Sequence, residues 1–429
     1  MAKKKDLKEE KASLASKLGP GFITGASDDD PSGIATYAQT GAMFGYAQLW
    51  LALFATPFMI AVQEMCGRIG MVTGKGLGTV LRENYSKKIL WGAVALLAIA
   101  NTVNVGADLG AMASATEMIT RLPFAWALIF LTVISLGLQI AVPYQRYAPV
   151  LKILAFTLFA YVITVFLVPQ DWAAIAHHTF IPTISFDKEY LMNIVAILGT
   201  TISPYLFFWQ ADEEVEEEIS KGWLSKFGAW IRTEPINNTE IRSMRQDTVI
   251  GMVFSNMIMF FIIATAASTL AKAGITHIDT AEQAAKALIP LAGNFAGILF
   301  AIGIIGTGLL VVPILAGSTA YALAEARGWS EGLSLPLQNA KAFYGVIAVS
   351  MVIGALLNFV GIPPFRLLYL TAVLNGVMAP PLIVMIVLMA GNKKIMGKSV
   401  SGPIGKTFGW ATAILMGVAA LSLLYAWIW

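Results

Sequence analysis

Three consecutive aspartates interrupt the first long apolar segment of the chain. Asp28, Asp29 and Asp30 are followed directly by Pro31. A carboxylate near the centre of a bilayer costs at least about 2.5–3.5 kcal/mol on insertion scales, so three of them need a partner. Proline frees carbonyl groups of the preceding turn, and free carbonyls beside a carboxylate form an oxygen-rich cation site. Because successive helical residues point about 100° apart, we expect Asp30 to bind the ion directly. Asp28 or Asp29 would then line the cavity, or both would tilt away or be protonated.

A second apolar segment is interrupted in a similar way. Residues 199–204 read Gly-Thr-Thr-Ile-Ser-Pro, and neither break contains histidine, cysteine or methionine. The donors available are carboxylates, backbone carbonyls and the hydroxyls of Ser32, Thr200, Thr201 and Ser203. Oxygen-only anionic sites favour magnesium, calcium or manganese over later transition metals. Mg²⁺ usually keeps several waters, and serine and glycine leave space, so the pattern predicts a site for a largely hydrated ion.

The composition places these breaks in a membrane protein. Of the 429 residues, 57% are hydrophobic and only 13% are charged, with a mean hydropathy of +0.70, whereas soluble domains carry about 25% charged residues. The single cysteine, Cys66, excludes a disulfide framework, a thiolate zinc site and an iron–sulfur cluster. Only three histidines are present and none lies at a break. We therefore expect a protein that is not an enzyme and that uses no cofactor.

Eleven segments are predicted to span the membrane, since each is apolar over a length that can cross about 30 Å of hydrocarbon. They cover residues 19–42, 46–68, 89–118, 124–142, 149–168, 191–212, 248–271, 293–324, 342–361, 366–390 and 407–428. Of the 29 lysines and arginines, 24 fall in segments on the side of the N-terminus and five on the opposite side. The positive-inside rule then predicts a cytoplasmic N-terminus and an extracytoplasmic C-terminus in the cell membrane.

The two broken spans are the first spans of two five-span halves, spans 1–5 and 6–10. Breaks at corresponding positions are typical of an inverted-repeat transporter with a site at the bilayer midplane. In this topology both half-helices before the breaks point their C-terminal carbonyls at the site, which favours a positive ligand. We therefore predict an all-α polytopic protein with a cytoplasmic tail over residues 1–18, a transporter core over 19–390, and an inner loop with span 11 over 391–429.

Several segments of the chain resemble the Nramp divalent-metal transporters. They are Gly19-Pro20-Gly21-Phe22-Ile23, Asp30-Pro31-Ser32-Gly33, Gly41 through Tyr46, residues 68–74 (Arg-Ile-Gly-Met-Val-Thr-Gly), Ala107-Asp108-Leu109, residues 199–204 and residues 247–250 (Asp-Thr-Val-Ile). The segments in spans 1 and 2 are the most specific. The resemblance implies a leucine-transporter-type fold, with ten core helices in two inverted repeats and an eleventh span.

The departures from the family pattern concern the metal ligands. The family has Asp-Pro-Gly-Asn in span 1, with the aspartate and asparagine as ligands; here Asp30 is kept and the asparagine position is Gly33. The family has Met-Pro-His-Asn in span 6, whose methionine contacts the metal; here Ser203 replaces that methionine and Tyr205 replaces the histidine. The resemblance also assigns a backbone-carbonyl ligand to Thr200.

The proton pathway of the family is also reduced. Its Asp-Leu-Ala-Glu motif in span 3 is retained only as Asp108, because the glutamate aligns with Ala111, and no arginine pair lies near the start of span 9. The chain therefore resembles the Nramp-related magnesium transporter branch, which takes a hydrated ion without coupled protons. The alternative is an orthodox proton-coupled Mn²⁺/Fe²⁺ transporter with a changed ligand set.

The resulting prediction is a transporter of Mg²⁺, and also of Mn²⁺, that works by alternating access. We expect it to act as a monomer in the lipid bilayer without binding nucleic acid. The candidate metal site comprises Asp28, Asp29, Asp30, Gly33, Thr200, Ser203 and Tyr205. The acidic run 212–218 at the inner end of span 6 has two interpretations, a cation-attracting or regulatory magnesium site and a solvated helix end. An amino-acid transporter is disfavoured, because three aspartates would repel a substrate carboxylate.

Overall fold

The computed structural model describes residues 19–142, 156–224 and 237–428, and over these residues the chain is built from helices. The α-helices are α1 Pro20–Asp28, α2 Pro31–Phe44, α3 Trp50–Thr73, α4 Leu77–Asn84, α5 Lys87–Thr120, α6 Phe124–Ala141, α7 Phe159–Leu167, α8 Trp172–Phe180, α9 Lys188–Thr201, α10 Pro204–Ser220, α11 Asn238–Ala266, α12 Ala281–Ala285, α13 Ile289–Ala292, α14 Ala296–Arg327, α15 Lys341–Leu357, α16 Pro364–Gly391, α17 Lys393–Met396 and α18 Pro403–Ile428. A π-helical turn over Ala267–Ala271 extends α11, and 3₁₀ turns cover Phe156–Leu158, Lys286–Leu288 and Gly293–Phe295.

The all-α polytopic fold predicted above is confirmed, with spans 1 and 6 each split into two helices. Eight helical segments of the described residues have the length and hydropathy to cross a membrane. Span 1 is split into α1 and α2, while the described part of span 5 and α15 of span 9 are shorter apolar helices. The predicted tail 1–18 and the first residues of span 5 (149–155) lie outside the described residues.

Span 2 is shifted relative to its prediction of 46–68. Its helix α3 begins at Trp50 and continues to Thr73, where Gly74 ends it with a left-handed conformation (φ +65°). Arg68, which marks the predicted end, is buried inside the helix and pairs with Glu64 one turn earlier. A charge that is neutralised within its own helix does not end that helix, so the span extends further than hydropathy predicts.

Glycines allow the two half-helices before the breaks to pack closely on neighbouring spans. A Cβ atom on Gly25 of α1 would lie 2.3 Å from the Gly251 carbonyl oxygen of α11. A Cβ atom on Gly199 of α9 would lie 2.1 Å from the Ala372 carbonyl oxygen of α16. Both contacts leave no room for any side chain, so backbone-to-backbone packing holds α1 on α11 and α9 on α16.

The start of α1 is held by an aspartate that is distant in sequence. Asp247 of α11 accepts hydrogen bonds from the backbone amides of Gly19 (2.9 Å), Gly21 (2.8 Å) and Phe22 (3.2 Å). The first amides of a helix have no partner within it, and a carboxylate there also complements the positive end of the helix dipole. Asp247 thus fixes the position from which α1 approaches the break.

Each of the two half-helices after the breaks packs on a span from the other half of the chain. The half-helix α2 packs on α11, which is span 7, and α10 packs on α3, which is span 2. If spans 1–5 and 6–10 are repeats, span 1 corresponds to span 6 and span 2 to span 7. The two contacts would then be equivalent to each other. The inverted symmetry itself stays a prediction.

Candidate metal site

Proline and aspartate together create the break in span 1. The helix α1 ends at Asp28, Asp29 leaves the helical conformation (φ −82°, ψ 52°), and Asp30 is extended (φ −73°, ψ 172°) before Pro31 starts α2. A residue before proline is pushed toward extended conformations, and aspartate is a preferred helix N-cap. The Asp30 Oδ1 atom accepts hydrogen bonds from the Gly33 amide (2.5 Å) and the Ser32 hydroxyl (2.8 Å). The predicted principal ligand is therefore also the cap of α2.

The break in span 6 has a backbone similar to that of the break in span 1. Its residue before proline, Ser203, donates hydrogen bonds, whereas Asp30 accepts them. Ile202 leaves the helix α9 (φ −116°, ψ 63°), and Ser203 is extended (φ −81°, ψ 135°) before Pro204 starts α10. The Ser203 hydroxyl donates to the carbonyl oxygens of Gly199 (2.8 Å) and Thr200 (2.7 Å). The last carbonyls of a helix lack partners within it, so a nearby serine takes them. The Thr200 carbonyl, predicted to be free for an ion, therefore already accepts one hydrogen bond.

Three side-chain contacts join the two breaks. The Ser32 and Thr200 hydroxyls lie 3.3 Å apart, and the Tyr37 and Thr201 hydroxyls lie 3.4 Å apart. The Tyr205 hydroxyl donates to the Ser27 carbonyl oxygen at 3.0 Å.

Asp30, Thr200, Ser203 and Tyr205 are all buried at this junction. Tyr205 also interacts with the Asp30 carboxylate. The structure therefore brings together predicted site residues from the two spans that are more than 160 positions apart in sequence.

Gly33 is closely packed beside the Asp30 carboxylate. A Cβ atom on Gly33 would lie 3.0 Å from the Asp28 carbonyl oxygen and 3.4 Å from Asp30 Oδ1. A side chain at this position would start next to both oxygens and extend into the break. The Tyr37 ring would also lie 3.3 Å from that Cβ atom, so glycine contributes no side-chain ligand and fits a position where a larger residue would be crowded.

Asp28 and Asp29 contact span 7. The Ser255 hydroxyl of α11 lies 2.6 Å from Asp28 Oδ2 and 3.4 Å from Asp29 Oδ1. The second oxygen of each carboxylate, Asp28 Oδ1 and Asp29 Oδ2, is buried without a hydrogen-bond partner. A single hydroxyl has one proton to donate and therefore cannot satisfy both carboxylates. The two carboxylates need further hydrogen-bond donors or a positive charge.

Ser255 was missed by the sequence analysis, although its spacing offered a signal. Thr248, Gly251 and Ser255 follow one another at three and four residues, which places them on one face of α11. Thr248 and Gly251 contact Gly21 and Gly25 of α1, so this face of small residues is the one that α1 packs against.

Asp108 of α5 adds a fourth buried carboxylate. Its side chain is fully buried, both of its oxygens lack a hydrogen-bond partner, and it interacts electrostatically with Asp30. Ala111, at the position that the resemblance aligns with a glutamate, is also buried.

No positive side chain balances these acids within the part of the chain that the structure describes. The ion pairs there join Arg68 and Arg245 to Glu64, Lys75 to Glu83, and Lys221 to Glu217. Several kcal/mol are needed to bury each unpaired charge, so a cation or protons must compensate. Among the described residues, no group of three acidic, histidine or cysteine side chains forms a complete metal-ligand set. Hydroxyls, backbone carbonyls and water would therefore complete the coordination of an ion at Asp30.

A cavity of about 330 Å³ lies at the other end of α2. Its lining includes Gln39, Glu189, His277, Asp279 and Arg366. Gln39 is nine residues after Asp30, or about 13 Å along a helix. The Gln39 amide donates to the Thr276 carbonyl oxygen (2.8 Å) and accepts from the Ile278 amide (2.8 Å). This cavity therefore lies along α2 away from the break, has both polar and apolar lining residues, and is bordered by the loop to which Gln39 ties α2.

Comparison with known proteins supplies the family. The family model described as Nramp, natural resistance-associated macrophage protein-like, matches residues 21–426. This chain belongs to the Nramp family. The match includes both breaks and Asp108, and the resemblance to the Nramp family noted in the sequence is thereby confirmed.

Curated Nramp relatives are similar along almost their whole length. The divalent metal cation transporter MntH of Caldanaerobacter subterraneus subsp. tengcongensis is 25% identical over 418 residues, which cover 95% of this chain and 92% of that protein. MntH of Burkholderia ambifaria is 26% identical over 420 residues, which cover 95% and 88%.

Solved structures support the same fold. The manganese transporter of Eremococcus coleocola, in complex with an aromatic bis-isothiourea substituted compound, matches with a TM-score of 0.74 at 16% identity, over 95% of this chain and 86% of that one. Mhp1, a nucleobase-cation-symport-1 family transporter in a closed conformation, matches with a TM-score of 0.60 at 13% identity, over 96% and 91%. At these identities the likeness concerns the fold, and the leucine-transporter-type architecture is confirmed by it.

Proposed function

We propose that this Nramp family member transports divalent cations, chiefly Mg²⁺ and also Mn²⁺, through a site at Asp30. The observation that carries the proposal is the group of buried carboxylates at the break of span 1, which form no ion pair with any lysine or arginine of the described residues. A mobile cation supplies the missing positive charge each time the site is loaded. The names of the curated relatives, divalent metal cation transporters, support the same class of cargo.

The preference for Mg²⁺ is supported by the donors around Asp30. Ser32, Thr200 and Tyr205 offer hydroxyl oxygens, and the break contains no sulfur or nitrogen side-chain ligand. Oxygen ligands suit Mg²⁺ and Mn²⁺ alike, but Mg²⁺ in particular retains water in its coordination shell. A site with one direct carboxylate and otherwise only hydroxyl and carbonyl oxygens is therefore suited to a Mg²⁺ ion that keeps part of its water shell.

The absence of proton coupling is part of the proposal. Tyr205 stands where the resemblance places a histidine, and its hydroxyl donates to a backbone carbonyl. Tyrosine has an ordinary pKa near 10 and does not exchange protons readily at neutral pH. The family motif in span 3 has a glutamate where this chain has Ala111. Of the titratable residues of that motif, this chain therefore keeps only Asp108.

We further propose that the protein resides in the cell membrane as a monomer, with its N-terminus in the cytoplasm. Alternating access would involve the half-helices α1 and α10, because each ends or starts at a break. Metal ions are its substrates and not resident cofactors.

A second candidate is a proton-coupled Mn²⁺/Fe²⁺ transporter, which one contact favours. The Met259 sulfur of α11 lies 3.7 Å from the Thr201 hydroxyl oxygen, next to the break in span 6. A thioether favours transition metals over Mg²⁺. If Met259 approached the ion during transport, it would supply the sulfur that Ser203 does not.

Uptake into liposomes distinguishes the two candidates. Purified protein is reconstituted with an entrapped magnesium indicator, at fixed membrane potential and equal pH on both sides, and a pH-sensitive dye reports proton entry. We expect saturable Mg²⁺ uptake, competition by Mn²⁺, no acidification of the lumen, and the same ion preference in Met259→Leu. Mn²⁺ uptake without Mg²⁺ uptake, or acidification that follows the metal, would favour the second candidate instead.

A further inference from the structure

The predicted cytoplasmic end of α10 contains two buried carboxylates from different helices. Asp212 of α10 is 0% exposed, and Glu325 in the last turn of α14 is 1% exposed. Both face Gly76 in the loop between α3 and α4. A Cβ atom on Gly76 would lie 1.9 Å from Asp212 Oδ1 and 2.2 Å from Glu325 Oε1. The two carboxylate oxygens are therefore no farther apart than the sum of those distances, which is a spacing that a single metal ion can bridge.

These facing oxygens have no hydrogen-bond donor. Both oxygens of Asp212 and the Oε1 atom of Glu325 are buried without a partner. The other oxygen of Glu325, Oε2, accepts the Gly78 amide at 2.8 Å, which fixes the orientation of its carboxylate. An unpaired buried polar group costs several kcal/mol, and two facing carboxylates repel each other as well. The pair therefore lacks a positive ligand on the side where the two oxygens meet.

The surrounding charges leave this position negative. Arg82 donates to the Glu325 backbone carbonyl oxygen, and its charge also acts on the Glu325 carboxylate. Glu213 and Glu216 add negative charge around Asp212. Burial and the neighbouring Glu325 raise the pKa of Glu331, in the loop after α14, to about 10. One arginine thus faces several carboxyl groups, and Glu331 holds its proton in response.

The acidic run is consequently not the solvated helix end that was one of its two interpretations. Five of its six acidic side chains are buried, and they are Asp212, Glu213, Glu214, Glu216 and Glu218. Glu217 is partly exposed and pairs with Lys221 at 2.9 Å. Glu216 accepts hydrogen bonds from the Tyr321 hydroxyl (2.9 Å) and the Leu333 amide (3.1 Å). Within this run, Asp212 is the carboxylate with both oxygens buried and unpartnered.

We propose that Asp212 Oδ1 and Glu325 Oε1 bind a second divalent cation, separate from the ion at Asp30. Asp212 is eight residues beyond Pro204, or about 12 Å along α10 from the break. Mg²⁺ is commonly held by one or two carboxylates with several waters, so this pair suffices without a third acidic ligand. The bound ion joins α10 and α14 beside Gly76, and so stabilises the packing at this end of span 6.

The test removes the Asp30 site first, so that the second site is measured alone. Purified Asp30→Ala protein is titrated with Mn²⁺, and electron paramagnetic resonance gives the number of bound ions per chain. We expect one bound Mn²⁺ per chain, displaced by excess Mg²⁺. Adding Asp212→Asn and Glu325→Gln should abolish this binding, whereas the control Glu217→Gln on the same helix should retain it.

Thermal unfolding separates loss of the ligand from loss of the fold. Asn and Gln are isosteric and relieve the repulsion, so the metal-free double variant should melt at or above the temperature of its parent. Added Mg²⁺ should raise the melting temperature of the parent and leave that of the double variant unchanged. If the double variant does not fold, each single variant is titrated and should bind Mn²⁺ at least tenfold more weakly.

Two results would overturn the proposal. One is folded Asp30→Ala protein that binds no Mn²⁺, and the other is binding that persists undiminished without the Asp212 and Glu325 charges. The second site does not depend on the proposed transport function. A protein with no uptake activity but with an ion at Asp212 and Glu325 would refute the transport proposal and leave this one intact.

Discussion

Replacing Asp30 by asparagine separates the structural role of this residue from its charge. Asp30 Oδ1 caps α2 by accepting the Gly33 amide at 2.5 Å and the Ser32 hydroxyl at 2.8 Å. Asparagine keeps an acceptor at that position and is about as good a helix N-cap as aspartate, whereas a change to alanine typically costs about 1 kcal/mol. We therefore expect Asp30→Asn to keep the stability of the parent and Asp30→Ala to lose about 1 kcal/mol.

Both variants should lose ion uptake, because the loss depends on charge. Two unit charges 4 Å apart interact by about 4 kcal/mol at an effective dielectric constant of about 20. Since about 1.4 kcal/mol corresponds to a tenfold change in binding, removing the Asp30 charge weakens ion binding by roughly a thousandfold for each unit charge of the ion. The neighbouring Asp28 and Asp29 charges and retained water reduce this effect, so we expect a loss of at least about 100-fold in apparent affinity.

The assay is Mg²⁺ uptake into liposomes at matched protein density, with thermal unfolding measured on the same preparations. Asp171→Asn is a matched control, because Asp171 caps α8 through the Ala174 amide (2.9 Å) in an exposed position. It should take up Mg²⁺ as the parent does. Uptake by Asp30→Asn within tenfold of the parent would refute Asp30 as an ion ligand. A large drop in its melting temperature would refute the cap argument.

Two further substitutions test how the surrounding helices support the site. Asp247→Ala removes the acceptor of three amides at the start of α1, and we expect a loss of about 1–2 kcal/mol in thermal or denaturant unfolding; an unchanged stability would contradict the anchoring role. Ser255→Ala removes the donor to Asp28, and we expect a loss of about 1–3 kcal/mol without metal that becomes smaller in saturating Mg²⁺. An equal loss with and without Mg²⁺ would indicate that the ion does not compensate the Asp28 charge.

The helices and the breaks were predictable because their causes are local. Hydropathy over about 20 residues specifies a span, and proline disrupts a helix wherever it occurs. Asp30 was chosen among the three aspartates because successive helical residues point about 100° apart and because the family pattern has its aspartate directly before proline; its role as the cap of α2 emerged from the structure. The end of α3 was misplaced because Arg68 pairs with Glu64 within its own helix, which a count of charges does not take into account.

The partners of the buried acids depend on tertiary structure. Asp28 meets Ser255 across 227 positions of sequence, and Asp247 meets the start of α1 across 225 to 228. Composition and helical periodicity describe one helix at a time, so they predict which side chains share a face but not which helix covers that face.

The same limit applies to the acidic end of span 6. From the sequence alone, the run 212–218 had two interpretations, a solvated helix end and a cation site. Burial of Asp212 beside Glu325 of α14 excludes the solvated helix end. The residue types at the two breaks thus indicated that this protein binds cations. Only the packing of distant helices decided which carboxylates lie together without a counter-charge, because that depends on distances between segments that are far apart in sequence.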